Sequence, residues 1–273
     1  MSTDSDSNGA THRRLLTDVP ETLSGFIDET PPSETVLLVV NRSEPEQLIA
    51  LLRRAFDDQP VDIESRHVPE GVDDTVLLID DGTVVATTPL QRLRDTFLLV
   101  NSDWYRTANR HLTAGAIPDV LTGLTDTEFS LRGFPASNKE KLLLIVLTRF
   151  IERRALRVGD GRLDVSFQRL SRLDDEYGTK SVYEQITATD VTTHLYGVRD
   201  GADLAVDSLP ATVHAGATDE YHDNWFVVFV PPPDHGEPIA LLATETGQNR
   251  WRSMWTTDPD TVARIGAYVR TGL

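Results

Sequence analysis

The stretch from Ser137 to Leu173, SNKEKLLLIVLTRFIERRALRVGDGRLDVSFQRLSRL, narrows the possible folds more than any other part of the chain. It reads as a long helix, a tight turn, and a strand that leads into another helix. Ser137 with Glu140 three residues on has the reciprocal spacing of a capping box. Leu142 to Leu147 is apolar nearly all round, which demands deep burial of that part of the helix. Beyond it only Phe150, Ile151, Ala155 and Leu156 stay apolar, while Arg149, Arg153 and Arg157 fall four apart on one face. Gly159 and Gly161 allow a turn through positive φ. Leu163, Val165 and Phe167 then alternate with Arg162, Asp164, Ser166 and Gln168, the period of a half-buried strand.

The flanking sequence divides into four parts. Residues 1–14 open with MSTDSDSNGAT, too polar to bury, and read as a disordered tail. Residues 15–100 read as a small α/β unit of βαβββα order. Its pieces are an amphipathic helix through Leu23, Phe26 and Ile27, a buried strand TVLLVV, and a helix opened by Ser43 and Glu46. Strands 61–68 and 75–79 follow, then an Asp81-Gly82 hairpin turn and a helix through Leu90, Leu93 and Phe97. Residues 101–133 read as a linker with short helices. In residues 134–273 the stretch above is followed by a helix carrying Tyr183, strand VTTHLYGV, the very apolar strand WFVVFV closed by three prolines, two further antiparallel strands, and a last helix with Pro259 at its first position. The fold class is α/β, more exactly α+β, with a mixed or antiparallel sheet flanked by helices in the second half.

Charge excludes several function classes. Lys and Arg total 26 against 43 Asp and Glu, a net charge of −17, and only Lys139, Lys141 and Lys180 are lysine. Such a surface suits a salt-rich cytosol, where screening removes most of the mutual repulsion. It disfavours nucleic acid and anionic membrane as partners, because phosphates need a basic face. The absence of cysteine excludes disulfides and thiolate catalysis. The longest clean apolar run is far short of a membrane span. Arg13-Arg14 is followed by no apolar region, so no export signal is expected, and a cytoplasmic location is.

Candidate site residues come in three sets. Arg149, Arg153, Arg154 and Arg157, with Arg162, Arg169 and Arg172 downstream, form the one dense basic region; Arg153 and Arg157 are candidate contacts for an anion or an acidic partner. Pairing with the abundant carboxylates, at about 0.5 kcal/mol per pair, is the plainer explanation. Phe167, Tyr183, Trp225, Trp251 and Trp255 would line a pocket if their strands are neighbours; core and sheet-face packing is the plainer explanation. His214 and His222 flank Asp219, Glu220 and Asp223, but without metal-ligand spacing, so no metal and no cofactor is expected. Phosphate-binding glycine loops and the G-x-S-x-G elbow are missing.

The order of pieces in the second half resembles the DICT sensory domain of diguanylate cyclases and two-component proteins. LTRFIERRA, GRLDVSFQRLSRL with Phe167-Gln168, SVYEQI with Tyr183, THLYGV, NWFVVFV, IALLATE and the closing WRSMWTTDPDTVARIGAYV carry the likeness, the last most specifically. The front third, ETVLLVVNRSEPEQLIALLRR, is similar to the leading segment of haloarchaeal members. The resemblance implies a sensory or regulatory module with no established chemistry or ligand, in which Phe167, Gln168, Tyr183, Trp251 and Trp255 are the positions to watch. The expected function is a non-catalytic signal-input protein that binds a small ligand or a signalling partner. The alternatives are a homodimer joined through the WFVVFV sheet or the arginine helix, and an enzyme using a carboxylate site.

Overall fold

The computed structural model of the chain describes residues 20–30, 35–43, 61–99, 118–132, 142–175, 179–201, 204–247 and 250–273. Two sheets carry the architecture. The first has four strands, β1 (Thr35–Val40), β2 (Val61–Arg66), β3 (Thr75–Asp80) and β4 (Thr83–Pro89), in the order β2-β1-β3-β4. Strands β1 and β2 are parallel and the rest antiparallel. Asp81 and Gly82 turn β3 into β4 with φ of 45° and 76°, the doubly left-handed geometry that an Asp-Gly pair favours. Helix α1 (Leu23–Asp28) precedes this sheet, and α2 (Leu90–Leu99) and α3 (Asp119–Thr122) follow it.

The second sheet has seven strands. They are β5 (Thr127–Arg132), β6 (Asp160–Arg169), β7 (Asp190–Val198), β8 (Thr212–Ala215), β9 (Asn224–Val230), β10 (Ile239–Gly247) and β11 (Arg250–Thr256). Their order is β5-β11-β10-β9-β6-β7-β8. Strands β6, β7 and β8 are parallel, while β9 runs antiparallel to β6 and begins the antiparallel half. Helices α4 (Leu142–Val158), α5 (Arg172–Asp175) and α6 (Thr179–Ile186) belong to one face. Helix α1, α7 (Asp219–Asp223) and α8 (Pro259–Gly272) cover the other.

Two clusters of buried side chains follow from this layering. One contains Leu144, Ile151, Leu163, Val165, Val227, Phe229 and Leu241, and continues without a break into Leu37, Val39, Val76 and Leu78 of the four-stranded sheet. Helix α3 makes the joint: Val120 and Leu121 are fully buried, and the Val120 amide donates to Thr88 Oγ1 at 3.2 Å. The other contains Phe226, Val228, Leu242, Met254, Val262, Ile265 and Val269. Helix α8 starts as its sequence implies, with Asp258 accepting from the Thr261 amide at 2.8 Å and Pro259 at the first position.

Four sequence expectations are corrected. Strand β6 is not half-buried: Asp164, Ser166 and Gln168 are 0%, 1% and 2% exposed, because helices cover both faces of the sheet. Residues 127–132, read as linker, are the edge strand β5 paired with β11. Helix α1, assigned to the first unit, packs instead with Met254, Val262 and Ile265 on the large sheet; its apolar stripe could not say which sheet it would meet. The WFVVFV strand is β9, bonded on both sides and buried on both faces, so it offers no dimer surface. The capping pair Ser137 and Glu140, the tail 1–14, and the helix body after Ser43 lie outside the described residues.

At Gly161 two strands of the frame run too close together to admit a side chain. The φ of Gly161 is 111°, and a Cβ there would lie 2.5 Å from the Val230 carbonyl oxygen. Gly161→Ala is expected to lower unfolding free energy by about 2 kcal/mol, through left-handed strain and displacement of β9. Urea unfolding in high salt checks this; an unchanged midpoint would contradict it.

Candidate functional site

The parallel strands end where the direction of the sheet changes. Strand β6 connects through α5 and α6 to its parallel neighbour β7, while its other neighbour, β9, runs the opposite way. In α/β sheets, clefts form outside the carboxyl end of a strand at such a switch point. One does here. Its floor is Val165 and Phe167 of β6 and Trp225 of β9; its wall is Ile145, Thr148, Arg149 and Glu152 of α4; its rim is Arg172 and Thr179. The wall residues are spaced three and four apart, which puts them on one helix face. The cavity holds about 40 Å³, room for about three water molecules.

Charge in the cleft is locked by short contacts. Glu152 is 1% exposed and accepts from Arg149 Nη1 at 2.6 Å. The second terminal nitrogen of Arg149 donates to Thr179 Oγ1 at 2.7 Å. Thr148 is 7% exposed, and among the described residues its buried hydroxyl has no hydrogen-bond partner. Behind the floor, Phe167 meets Tyr183 of α6 edge to face, with ring centroids 5.2 Å apart. Burial pushes the Tyr183 phenol well above its ordinary value, and the adjacent Glu152 carboxylate adds to the rise.

At the strand end the backbone is bent on purpose. Gln168 has φ of 62°, in the left-handed region a non-glycine residue rarely enters, and the register with β7 breaks between Ser166 and Arg169. Three contacts hold it there. The Gln168 amide donates to Ser166 Oγ at 3.2 Å, its Nε2 donates to the His222 carbonyl at 2.7 Å, and its Oε1 accepts from Arg172. One buried side chain therefore ties the rim of the cleft to α7 on the opposite face of the sheet.

The structure brings Phe167, Gln168 and Tyr183 together and leaves the other expected positions apart. Arg153 is half-buried on α4 and does not line the cleft; Arg157 is exposed at the end of that helix. Trp251 and Trp255 are buried on β11, on the same face but three strands away. Trp255 packs edgewise on Phe150 and donates its indole N–H to the Leu124 carbonyl. His214 and His222 belong to different elements, and among the described residues no three metal-ligating side chains converge. Sequence reasoning missed Thr148, Glu152 and Arg172 as a group. The signal for two of them was present: polar Thr148 and Glu152 on the otherwise apolar face of a buried helix.

Residues 119–245 match the family model described as a sensory domain in diguanylate cyclases and two-component systems, DICT. The matched segment takes in α3 through most of β10 and contains every residue of the cleft. The match begins inside the segment read as linker and ends before β11, where the resemblance was most specific. No curated protein matches the chain. A polyphosphate kinase from Porphyromonas gingivalis superposes with a TM-score of 0.35 at 11% identity, over 91% of this chain and 47% of the kinase. That likeness is too weak to carry an argument.

The Arg149–Glu152 pair sets a direct energetic test. Arg149→Met leaves a buried carboxylate without its guanidinium and is expected to cost about 3 kcal/mol. Arg149→Met with Glu152→Leu is expected to recover most of that loss. Denaturant melts of the single and double variants check this; a double variant as unstable as the single would contradict it.

Proposed function

We propose that the chain is a sensory input module that acts by binding, without covalent chemistry, and that the cleft at the end of β6 receives the ligand. The observation that carries this reading is the Thr148 hydroxyl, buried without a hydrogen-bond partner among the described residues in the wall of a cleft inside the DICT match. A buried unpaired hydroxyl costs about 1–3 kcal/mol, which a ligand atom in the cleft would relieve. Phe167 and Trp225 supply apolar floor for the ligand's body, and Arg172 sits at the rim for its polar end. The small volume of the cavity sets the size of the ligand's buried part. Glu152, the carboxylate an enzyme reading would use, is held against Arg149, and this favours binding over catalysis.

A ligand shifts such a module only by binding two of its states unequally, and Gln168 is the natural place for two states to differ. Its strained backbone connects the rim to α7, so tightening at Arg172 changes the load on His222. The output then passes to a signalling partner in a salt-rich cytoplasm. No helix among the described residues is long and apolar enough to cross a membrane. A second reading, self-association or partner docking through β4, draws on the exposed Val84 and Val85 of that edge strand.

The test is native mass spectrometry of protein purified from high-salt extract, wild type beside Thr148→Val. A small molecule that stays with the wild type and leaves the folded variant is the expected result. An identical bound set in both would remove the cleft from the account, and a molecule turned over to product would end the non-catalytic reading.

A further inference from the structure

On the face opposite the cleft, the edge strand β8 is held to β7 by an unusual pair. His194 Nδ1 and His214 Nε2 are 2.9 Å apart. His214 lies directly across from Tyr196 in the β7–β8 register, and the two rings stack at 4.3 Å with 6° between planes. Tyr196 in turn donates to Asp164 at 3.1 Å, and Asp164 accepts both nitrogens of the Arg162 fork at 2.8 and 2.7 Å. The far nitrogen of His194 is buried without a hydrogen-bond partner among the described residues. Strand β8 itself has only four residues and, among the described residues, no strand on its outer side.

We propose that His194 and His214 form an acid-sensitive latch that keeps β8 on the sheet. An N···N hydrogen bond needs one nitrogen with a proton and one with a lone pair. The neutral pair meets that need, and so does the pair with one extra proton. With a second extra proton both facing nitrogens are donors, no acceptor remains, and two cations face each other across 2.9 Å.

The groups around the pair oppose that charge. On β6, Arg162 repels both imidazoles and Asp164 attracts them, but Asp164 is already held by the Arg162 fork. From α8, Arg270 adds further repulsion to His194. Helix α7 packs on the same face, but Glu220 there accepts from the Leu23 amide and repels Asp223, Tyr221 donates to the Leu273 carbonyl, and His222 gives its carbonyl to Gln168. Asp219 is in the first turn of that helix, where the helix end favours an acid. Burial and Arg162 hold His194 below the ordinary imidazole value, and burial first holds His214 below it as well.

The sign follows. Both imidazoles are depressed in the folded state, so below about pH 6.5 a detached β8 binds more protons than a docked one. The stabilisation from docking is complete above that value and falls as pH drops below it. The hinges of the movement are residues 209–211 and 216–218, since the 3₁₀ turn Ala205–Ser208 stays anchored by the Arg199–Asp207 fork and by Asp174 on the Ala205 amide.

Backbone hydrogen exchange between pH 7.5 and 5 tests the latch, with protection factors corrected for intrinsic rates. We expect protection at residues 212–215 to fall about tenfold for each pH unit once the second proton begins to bind, while β10 stays protected. His214→Phe keeps a flat ring on Tyr196 and cannot charge, so its β8 is expected to stay protected across the range. Wild-type β8 that remains protected until the whole domain unfolds would overturn the proposal. So would a His214→Phe variant that opens at the same pH as wild type.

Discussion

The Asp164 side chain lies fully buried at the centre of a sheet that helices cover on both faces, and an acidic group in that position is tolerated only with partners. Arg162 supplies a bidentate fork from two residues away on the same strand, and Tyr196 supplies a hydroxyl from the next strand. Together these contacts fix the pairing of β6 with β7, because a slip of one residue would turn Asp164 to the opposite, apolar face. The neighbouring positions repeat the pattern: Ser166 donates to the Asn224 carbonyl, and Asn224 accepts from Thr244 on β10. A line of satisfied polar groups therefore runs across four strands beneath α1, α7 and α8, while the opposite face is mostly apolar down to the cleft.

That difference between faces explains where activity can reside. On the apolar face α4 lies over the sheet and leaves a gap where β6 bends away at Gln168. On the polar face the contacts end at the β8 edge, where two imidazoles take over from the carboxylate. The backbone strain lies at the end of β6 and the imidazole pair at the β8 edge, while the Asp164 contacts brace the middle of the sheet. A module that must respond to its surroundings needs such an arrangement, a firm frame with soft rims. Burial also sets the protonation of outlying tyrosines: Tyr268 on α8, near Glu220, is pushed up to about 12 and stays a neutral donor.

Much of this was legible in the residues. The helix–glycine turn–strand order of 142–169, the Asp81-Gly82 hairpin and the Pro259 helix start all follow from local chemistry, because each depends on neighbours in the chain. What was hidden depends on coverage from far away. Alternation in LDVSFQ suggests one wet face, and nothing local says that α7 and α8 will close it. Likewise Arg153, Arg157, Trp251 and Trp255 share composition with a binding site, but their helix and strand positions place them away from the cleft. Gln168 was marked by resemblance; its left-handed backbone and its bridge between layers could only be seen in three dimensions.

The account rests on β6 as the frame that both layers and both rims share. Native-state hydrogen exchange under increasing denaturant measures this directly, through the amides of residues 163–166. They are expected to exchange only with global unfolding, as the last protected set in the chain. Exchange of these amides by a local opening, while the four-stranded sheet keeps its protection, would contradict it.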